Sequence, residues 1–208
     1  MTTLVIGCNG SIGKRHCAVL KHIGVDFEGY DINDKIPDFD KFDNFIIATP
    51  TNTHFRFIYE LGQYRKPILC EKPLSIERED FLKILNTDIK LSMMMQYRYF
   101  DRDFDKGDSR YNFYNHGKDG LVWDCFQVIA LARGKVTIGE DSPIWDCVLN
   151  GRELDLRKMD HAYIWAIKEF LDGKYISKDK LLEYHNKVRN YESLQNGVYS
   201  HPGKKYID

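Results

Sequence analysis

"LVIGCNGSIGKRH", residues 4–16, is the stretch on which the fold turns. An apolar run stops abruptly at three glycines, Gly7, Gly10 and Gly13, and then turns basic. It reads as a buried strand, a turn made almost wholly of backbone, and a helix that starts without a linker. A helix start presents unpaired N–H groups and a partial positive charge, which together attract phosphate. Glycines let the chain turn sharply and let a diphosphate approach with no Cβ in its way. The spacing is G-x-x-G-x-x-G, one residue longer at the front than the usual G-x-G-x-x-G, and Asn9 fills the extra position.

Outward from this turn the same alternation continues. Thr3–Ile6, Asp26–Tyr30, Phe45–Ala48, Pro67–Cys70 and Leu91–Met95 read as strands. Helices are predicted over Ile12–Ile23, near Thr53–Tyr64, and from an N-cap at Ser75 to about Leu85. Short buried strands alternating with helices predict an α/β fold, a doubly wound parallel sheet of the Rossmann kind. After about Tyr97 the pattern changes to a polar, aromatic loop running to Gly120. A helix over Leu121–Ala132 follows, then strands over Lys135–Asp141, Ile144–Leu149 and Glu153–Leu156, with a hairpin turn at Asn150-Gly151. Helices near Met159–Leu171 and Lys178–Leu194 and a loose tail complete the chain. The expected division is a Rossmann domain over residues 1–97 and a second, reduced α+β domain over 98–208.

Composition narrows the function. A hydrophobic share of 43% and a charged share of 29% are those of a soluble globular chain. Thirty basic residues balance 31 acidic ones, which gives no electrostatic grip on nucleic acid or anionic lipid. No apolar run approaches a membrane span, and the N-terminal stretch is too short and uncharged for a signal peptide. The cysteines, at 8, 17, 70, 125 and 147, are odd in number and form no C-x-x-C pair. Reduced thiols in the cytoplasm are the expectation, and no His, Cys and carboxylate set has metal-ligand spacing.

Two further stretches carry chemistry. "EGYDIND" places Asp31 eighteen residues past Gly13, where a carboxylate accepts both hydroxyls of an adenosine ribose and repels a 2′-phosphate. NAD is therefore expected in preference to NADP. "IIATPTNTH", residues 46–54, ends a strand in small and hydroxyl residues suited to a cofactor ribose or nicotinamide. "CEKPLS", residues 70–75, ends the next strand with a charged pair before proline. A lysine there lies in the crevice where such sheets bind ligands.

Taken in order, "VIG…GSIGKRH", "ATPTNTH" and "EKPLS" resemble the glucose–fructose oxidoreductase / inositol dehydrogenase family (Gfo/Idh/MocA) over about residues 1–99. The resemblance implies a Rossmann domain joined to an α/β domain with an open antiparallel sheet. It also implies a nicotinamide-dependent oxidoreductase for sugars, cyclitols or related polyols, a small-molecule substrate, and possible self-association. On that basis Gly7, Cys8, Asn9, Gly10, Ser11 and Ile12 hold the pyrophosphate and Asp31 the adenosine ribose. Thr49, Pro50, Asn52 and His54 line the nicotinamide half, with Glu71 and Lys72 beside the ring and Lys72-Pro73 in the cis form. Gln96 stands where the family often has asparagine, in "MMMQYRYF", the crossover into the second domain.

The implied chemistry is hydride transfer at a carbinol carbon as its hydroxyl gains or loses a proton. The Lys72 ammonium stabilises the developing alkoxide, an effect of roughly 3 kcal/mol for one preorganised donor, and can shuttle the proton. The family's second signature, G-x-x-x-D-x-x-x-H, is incomplete in "GLVWDCFQV": Gly120 and Asp124 are present, but Val128 stands at the histidine position. Asp124 is the expected substrate ligand and His116, in the preceding loop, the candidate replacement for the histidine. Only eighteen residues separate Asp31 from Thr49, so a helix and strand usual in the family are cut down. The incomplete signature leaves open a second reading: a non-catalytic nucleotide-binding or interaction protein that retains the Rossmann fold.

Overall fold

A computed structural model of the chain describes residues 1–100, 109–112, 121–139, 146–155 and 158–199. Five parallel strands form the main sheet: β1 (Thr2–Ile6), β2 (Asp26–Tyr30), β3 (Asn44–Ile47), β4 (Ile68–Cys70) and β5 (Leu91–Met93), in the order β2-β1-β3-β4-β5. The four inner contacts are all parallel, with Val5 opposite Ile46 and Ile47 opposite Cys70. The apolar runs are buried on both faces because side chains alternate. Leu4, Ile6, Phe45, Ile47, Ile68 and Cys70 join one core cluster, while Val5, Ile46 and Leu69 join another.

Helices α1 (Ser11–His22), α2 (Thr51–Gly62) and α3 (Arg78–Leu85) are the crossovers. Ser75 is not the N-cap of α3, which starts after Glu77. Instead the Ser75 hydroxyl accepts the Glu77 N–H at 3.1 Å, forming a side-chain turn ahead of the helix. Between β2 and β3 the chain makes only a 3-10 turn, Phe39–Lys41, with no intervening strand. The abbreviation expected from the short Asp31–Thr49 spacing is what the structure has. From β1 the chain crosses one way to β2 and the other way to β3, so the direction of winding reverses beside the glycine turn.

A second sheet of mixed direction has the order β7-β6-β8-β9: β6 (Ser109–Asn112), β7 (Val136–Gly139), β8 (Asp146–Leu149) and β9 (Arg152–Glu153). β6 falls in the segment read as irregular loop, and it is the central strand, parallel to β7 and antiparallel to β8. The hairpin at Asn150-Gly151 forms as expected, with φ of 51° and 83°, the left-handed pair that a two-residue type I′ turn needs. Asn150 is itself buried and its Oδ1 accepts the Arg133 N–H at 2.6 Å. The helix expected over Leu121–Ala132 is two pieces, α4 (Leu121–Asp124) and α5 (Phe126–Leu131). α6 (Met159–Leu171) packs Tyr163, Ile167 and Phe170 into the cluster under α1, and α7 (Lys178–Tyr199) joins the cluster shared with α2 and α3. The latter cluster runs from Leu4 through Trp123, Phe126 and Leu154 to Val188, so one core underlies both sheets.

Candidate functional site at the strand ends

Five loops reach the carboxyl ends of the main sheet. In spatial order they carry Asp31 after β2, the glycine turn after β1, Thr49–Asn52 after β3, Glu71 and Lys72 after β4, and Gln96 after β5. At about 4.8 Å per strand, the row from β2 to β4 is roughly 14 Å long, which suits an extended dinucleotide.

The glycine turn is fixed by backbone. Gly7, at φ 83°, donates its N–H to the Tyr30 carbonyl at 2.8 Å, and its own carbonyl accepts the Gly10 N–H at 3.1 Å. The additional residue of the loop is thus absorbed in a tight turn, and the Asn9 N–H donates to Asp31 Oδ2 at 2.8 Å. A Cβ on Gly7 would lie 2.8 Å from the Ala48 carbonyl oxygen, and one on Gly13 only 2.0 Å from the Gly7 oxygen. These two glycines are required by close approach of backbone to backbone. Gly10 caps α1 with no side-chain hydrogen bond, and no acidic residue lies in the first turn. The amides of Ser11 and Ile12 are therefore left for an anion at the helix start. That arrangement fits a dinucleotide diphosphate.

Asp31 is half-buried, and its Oδ1 accepts the Ile32 N–H at 2.8 Å. Two of the roughly four lone-pair sites of the carboxylate are thereby used, which leaves capacity for ribose hydroxyls. Burial and the carboxylates of Asp31 and Asp34 push the Cys8 thiol up, so Cys8 contributes backbone and not a thiolate. On the other side of the switch point, Thr49 is half-buried and Pro50 and Asn52 are exposed. The Thr53 hydroxyl donates to the Pro50 carbonyl at 2.7 Å and holds this turn at the head of α2. Lys72 is half-buried two residues beyond β4, and the Lys72-Pro73 peptide is cis.

Three residues expected along this edge lie inward of it. His54 is 1% exposed, with Nδ1 at 2.8 Å from the Pro73 carbonyl oxygen and Nε2 at 2.8 Å from that of Thr49. Glu71 is buried and its Oε1 meets His16 Nε2 at 2.9 Å. Gln96 is buried too, its Nε2 donating to the Tyr163 hydroxyl at 3.2 Å. All three side chains are turned toward packed protein, His54 from the first turn of α2, Glu71 from the end of β4 and Gln96 from the 3-10 turn after β5. Neither His16 nor Tyr163 is a site candidate in the sequence; the stripe Tyr163, Ile164, Ile167 and Phe170 reads there as core packing, and it is core. The His16 ring meets Tyr163 edge-on at 5.5 Å, and Arg15 lies over the Tyr163 ring at 5.3 Å. Burial and then the Glu71 charge push the Tyr163 hydroxyl far up, so it remains protonated as donor or acceptor. Only the basic "KRH" beside the glycines hinted at His16; its pairing with a residue fifty-five positions away has no local signal.

On the opposite wall, Val128 is buried in α5, and Gln127 is spent inside, its Oε1 accepting the Tyr97 N–H at 3.0 Å. Asp124 ends α4, its side chain lying outside the described part, and His116 also lies outside the described residues. Among the described residues no group of His, Cys, Asp and Glu has the arrangement of a metal site.

A glycine-turn diphosphate cradle at the switch point of a parallel sheet defines a dinucleotide-binding protein of Rossmann type. Residues 24–99 match the family described as "Oxidoreductase family, NAD-binding Rossmann fold", GFO_IDH_MocA. Inositol 2-dehydrogenase 1 of Mycolicibacterium vanbaalenii is 36% identical over 63 residues, 30% of this chain and 18% of that protein. The rhizopine catabolism protein MocA of Rhizobium meliloti is 33% identical over 60 residues, 29% of this chain and 19% of its own length. The matched stretch thus spans under a fifth of those relatives. Among solved structures, a probable dehydrogenase from Thermotoga maritima aligns with a TM-score of 0.74 at 16% identity, over 95% of this chain and 97% of that one. The WlbA (WbpB) dehydrogenase from Thermus thermophilus, solved with NAD and UDP-GlcNAcA, aligns with 0.68 at 13% identity, over 100% and 97%. At those identities the likeness is one of fold.

Among the described residues no helix is long and apolar enough to cross a membrane.

Proposed function

We propose that this protein binds NAD(H) along the strand-end row and transfers a hydride to or from a carbinol carbon of a sugar, cyclitol or related polyol. The observation that carries the reading is the pairing of a cradle too tight for any Cβ at Gly13 with Lys72 two strands away on the same edge. The bound nicotinamide supplies the hydride acceptor or donor. Amides of Ser11 and Ile12 bind the diphosphate, Asp31 binds the adenosine ribose, and Thr49, Pro50 and Asn52 border the nicotinamide half. Lys72 donates a hydrogen bond to the reacting oxygen and holds or releases its proton, with Asp124 as substrate ligand and His116 as the second acid–base group. Residues 1–97 carry the cofactor in this reading, and 98–208 carry substrate contacts and self-association. The inositol dehydrogenase relatives support the polyol class.

The test is NADH formation at its absorbance band across a panel of cyclitols, aldoses and nucleotide sugars. Turnover that falls roughly 100-fold in Lys72→Ala, with NADH binding kept, is the expected result. The buried Val128 favours one competing reading, a nucleotide-binding protein without turnover. Saturable NADH binding with no product from any member of the panel, in wild type and variant alike, would select that reading.

A further inference from the structure

Two loops border the proposed nicotinamide end: the turn Thr49–Asn52 ahead of α2, and the segment Glu71–Pro73 that carries Lys72. One side chain joins them. His54, in the first turn of α2, points one ring nitrogen at the Thr49 carbonyl and the other at the Pro73 carbonyl, both at 2.8 Å. The ring is 1% exposed, so neither contact is shared with solvent. Both oxygens only accept, and the ring donates to both at once when both nitrogens carry protons. From the opposite face of the sheet, the wholly buried His16 of α1 holds Glu71 Oε1 at 2.9 Å, and Glu71 Oε2 lies 3.4 Å from the Lys72 N–H. The backbone on either side of Lys72 is thereby gripped from two helices whose starts lie on the same crevice.

We infer that His54 is a positioning residue for Lys72, acting through the Pro73 carbonyl, with the His16–Glu71 pair as the second grip. The inference rests on the assignment of Lys72 to the nicotinamide end. His54 touches neither cofactor nor substrate. Its task is to keep the Thr49 turn and the Lys72 segment at one fixed separation, so that the ammonium is aimed before substrate arrives. Misplacement of a catalytic group by about 1 Å costs on the order of 100-fold in rate, enough to select for such a link.

Three readouts on the full chain test it. In ¹⁵N-histidine spectra, the His54 ring should carry a slowly exchanging proton on Nδ1; a ring bare at Nδ1 would overturn the link. In competitive labelling by acetic anhydride, read lysine by lysine, NADH should protect Lys72 in the wild type. His54→Ala should lose that protection while its NADH affinity and the labelling of all other lysines stay unchanged. His54→Asn, which keeps one donor, should recover part of the protection. Retained Lys72 protection in His54→Ala would contradict the inference, as would a change shared by every lysine, the mark of general loosening. Should His54→Ala fail to fold, His54→Asn against wild type carries the comparison. Should the wild type fail to bind NADH, the functional reading falls, and the ring spectrum alone decides whether the link exists.

Discussion

The two sheets of this protein were built under different constraints. In the five-stranded sheet β1, β3, β4 and β5 are buried on both faces as short, mostly apolar runs that stand out between helices, and only the edge strand β2 is partly exposed. In the four-stranded sheet the strands are polar or mixed, and the central one, "SRYN" at Ser109–Asn112, gains its place from neighbours on both sides and not from its own pattern. Local sequence specifies a strand when burial on both faces leaves no alternative, and underspecifies it when partners far along the chain decide. The site follows the same division. Its cofactor half lies on the first sheet, and the residues expected to finish the chemistry, Asp124 and His116, belong to the second half.

The largest effect should come from filling the glycine cradle. Gly13→Val puts side-chain atoms against the Gly7 carbonyl, which a Cβ alone approaches to 2.0 Å. NADH binding should disappear in a fluorescence titration, and the melting temperature should fall because the helix must retreat from the strand. Unchanged binding would break the assignment of the turn to diphosphate.

The next effect separates binding from chemistry. Lys72→Ala should lower turnover by roughly 100-fold, the equivalent of one lost preorganised donor, with NADH affinity kept. Steady-state rates on the best substrate of the panel check it. An equal fall in affinity would assign Lys72 to cofactor binding.

The core shared by the two halves gives a pH test. His185 of α7 is 1% exposed, stacks on Phe81 of α3 at 3.9 Å and tilts against Trp123 of α4 at 5.5 Å. Burial, then the charges of Arg189 and Arg78, lower its pKa from 6.5 to about 4. The unfolded chain takes up a proton below pH 6.5, and the folded chain does so only near pH 4. The stability linked to His185 is complete above pH 6.5 and is lost as the pH falls toward 4, by about 3 kcal/mol at most. Urea unfolding at a series of pH values measures the slope, and His185→Phe should flatten it. An identical slope in that variant would remove His185 from the linkage.

The smallest effect concerns cofactor choice. Asp31→Ser removes the carboxylate that takes the Asn9 N–H and that we propose binds the ribose, so NADH binding should weaken by about 1–2 kcal/mol while NADPH binding improves. Competitive titration of the two cofactors reads the ratio directly. A ratio that does not move would mean that the ribose lies elsewhere.

Much of the first half was legible because its signals are local. The glycine turn, the strand before it and Asp31 just past the second strand follow from backbone sterics and burial, and the type I′ hairpin follows from Asn150-Gly151 alone. Ser75 misled as a helix cap because its side-chain turn mimics one. His54 and Glu71 were legible as residues of the strand-end region but not in their direction, since a sequence does not tell which way a side chain at a helix start or a strand end turns. His16 and Tyr163 were illegible because their meaning is a meeting of α1, β4 and α6 deep under the edge.

The central claim is that backbone at the start of α1 holds a dinucleotide whose nicotinamide reaches Lys72. A crystal structure with NAD bound tests it most directly. The expected result is a diphosphate hydrogen-bonded to the amides of Ser11 and Ile12, with the Lys72 ammonium beside the nicotinamide. A diphosphate bound elsewhere, or a Lys72 side chain turned into bulk solvent with the cofactor seated, would contradict it.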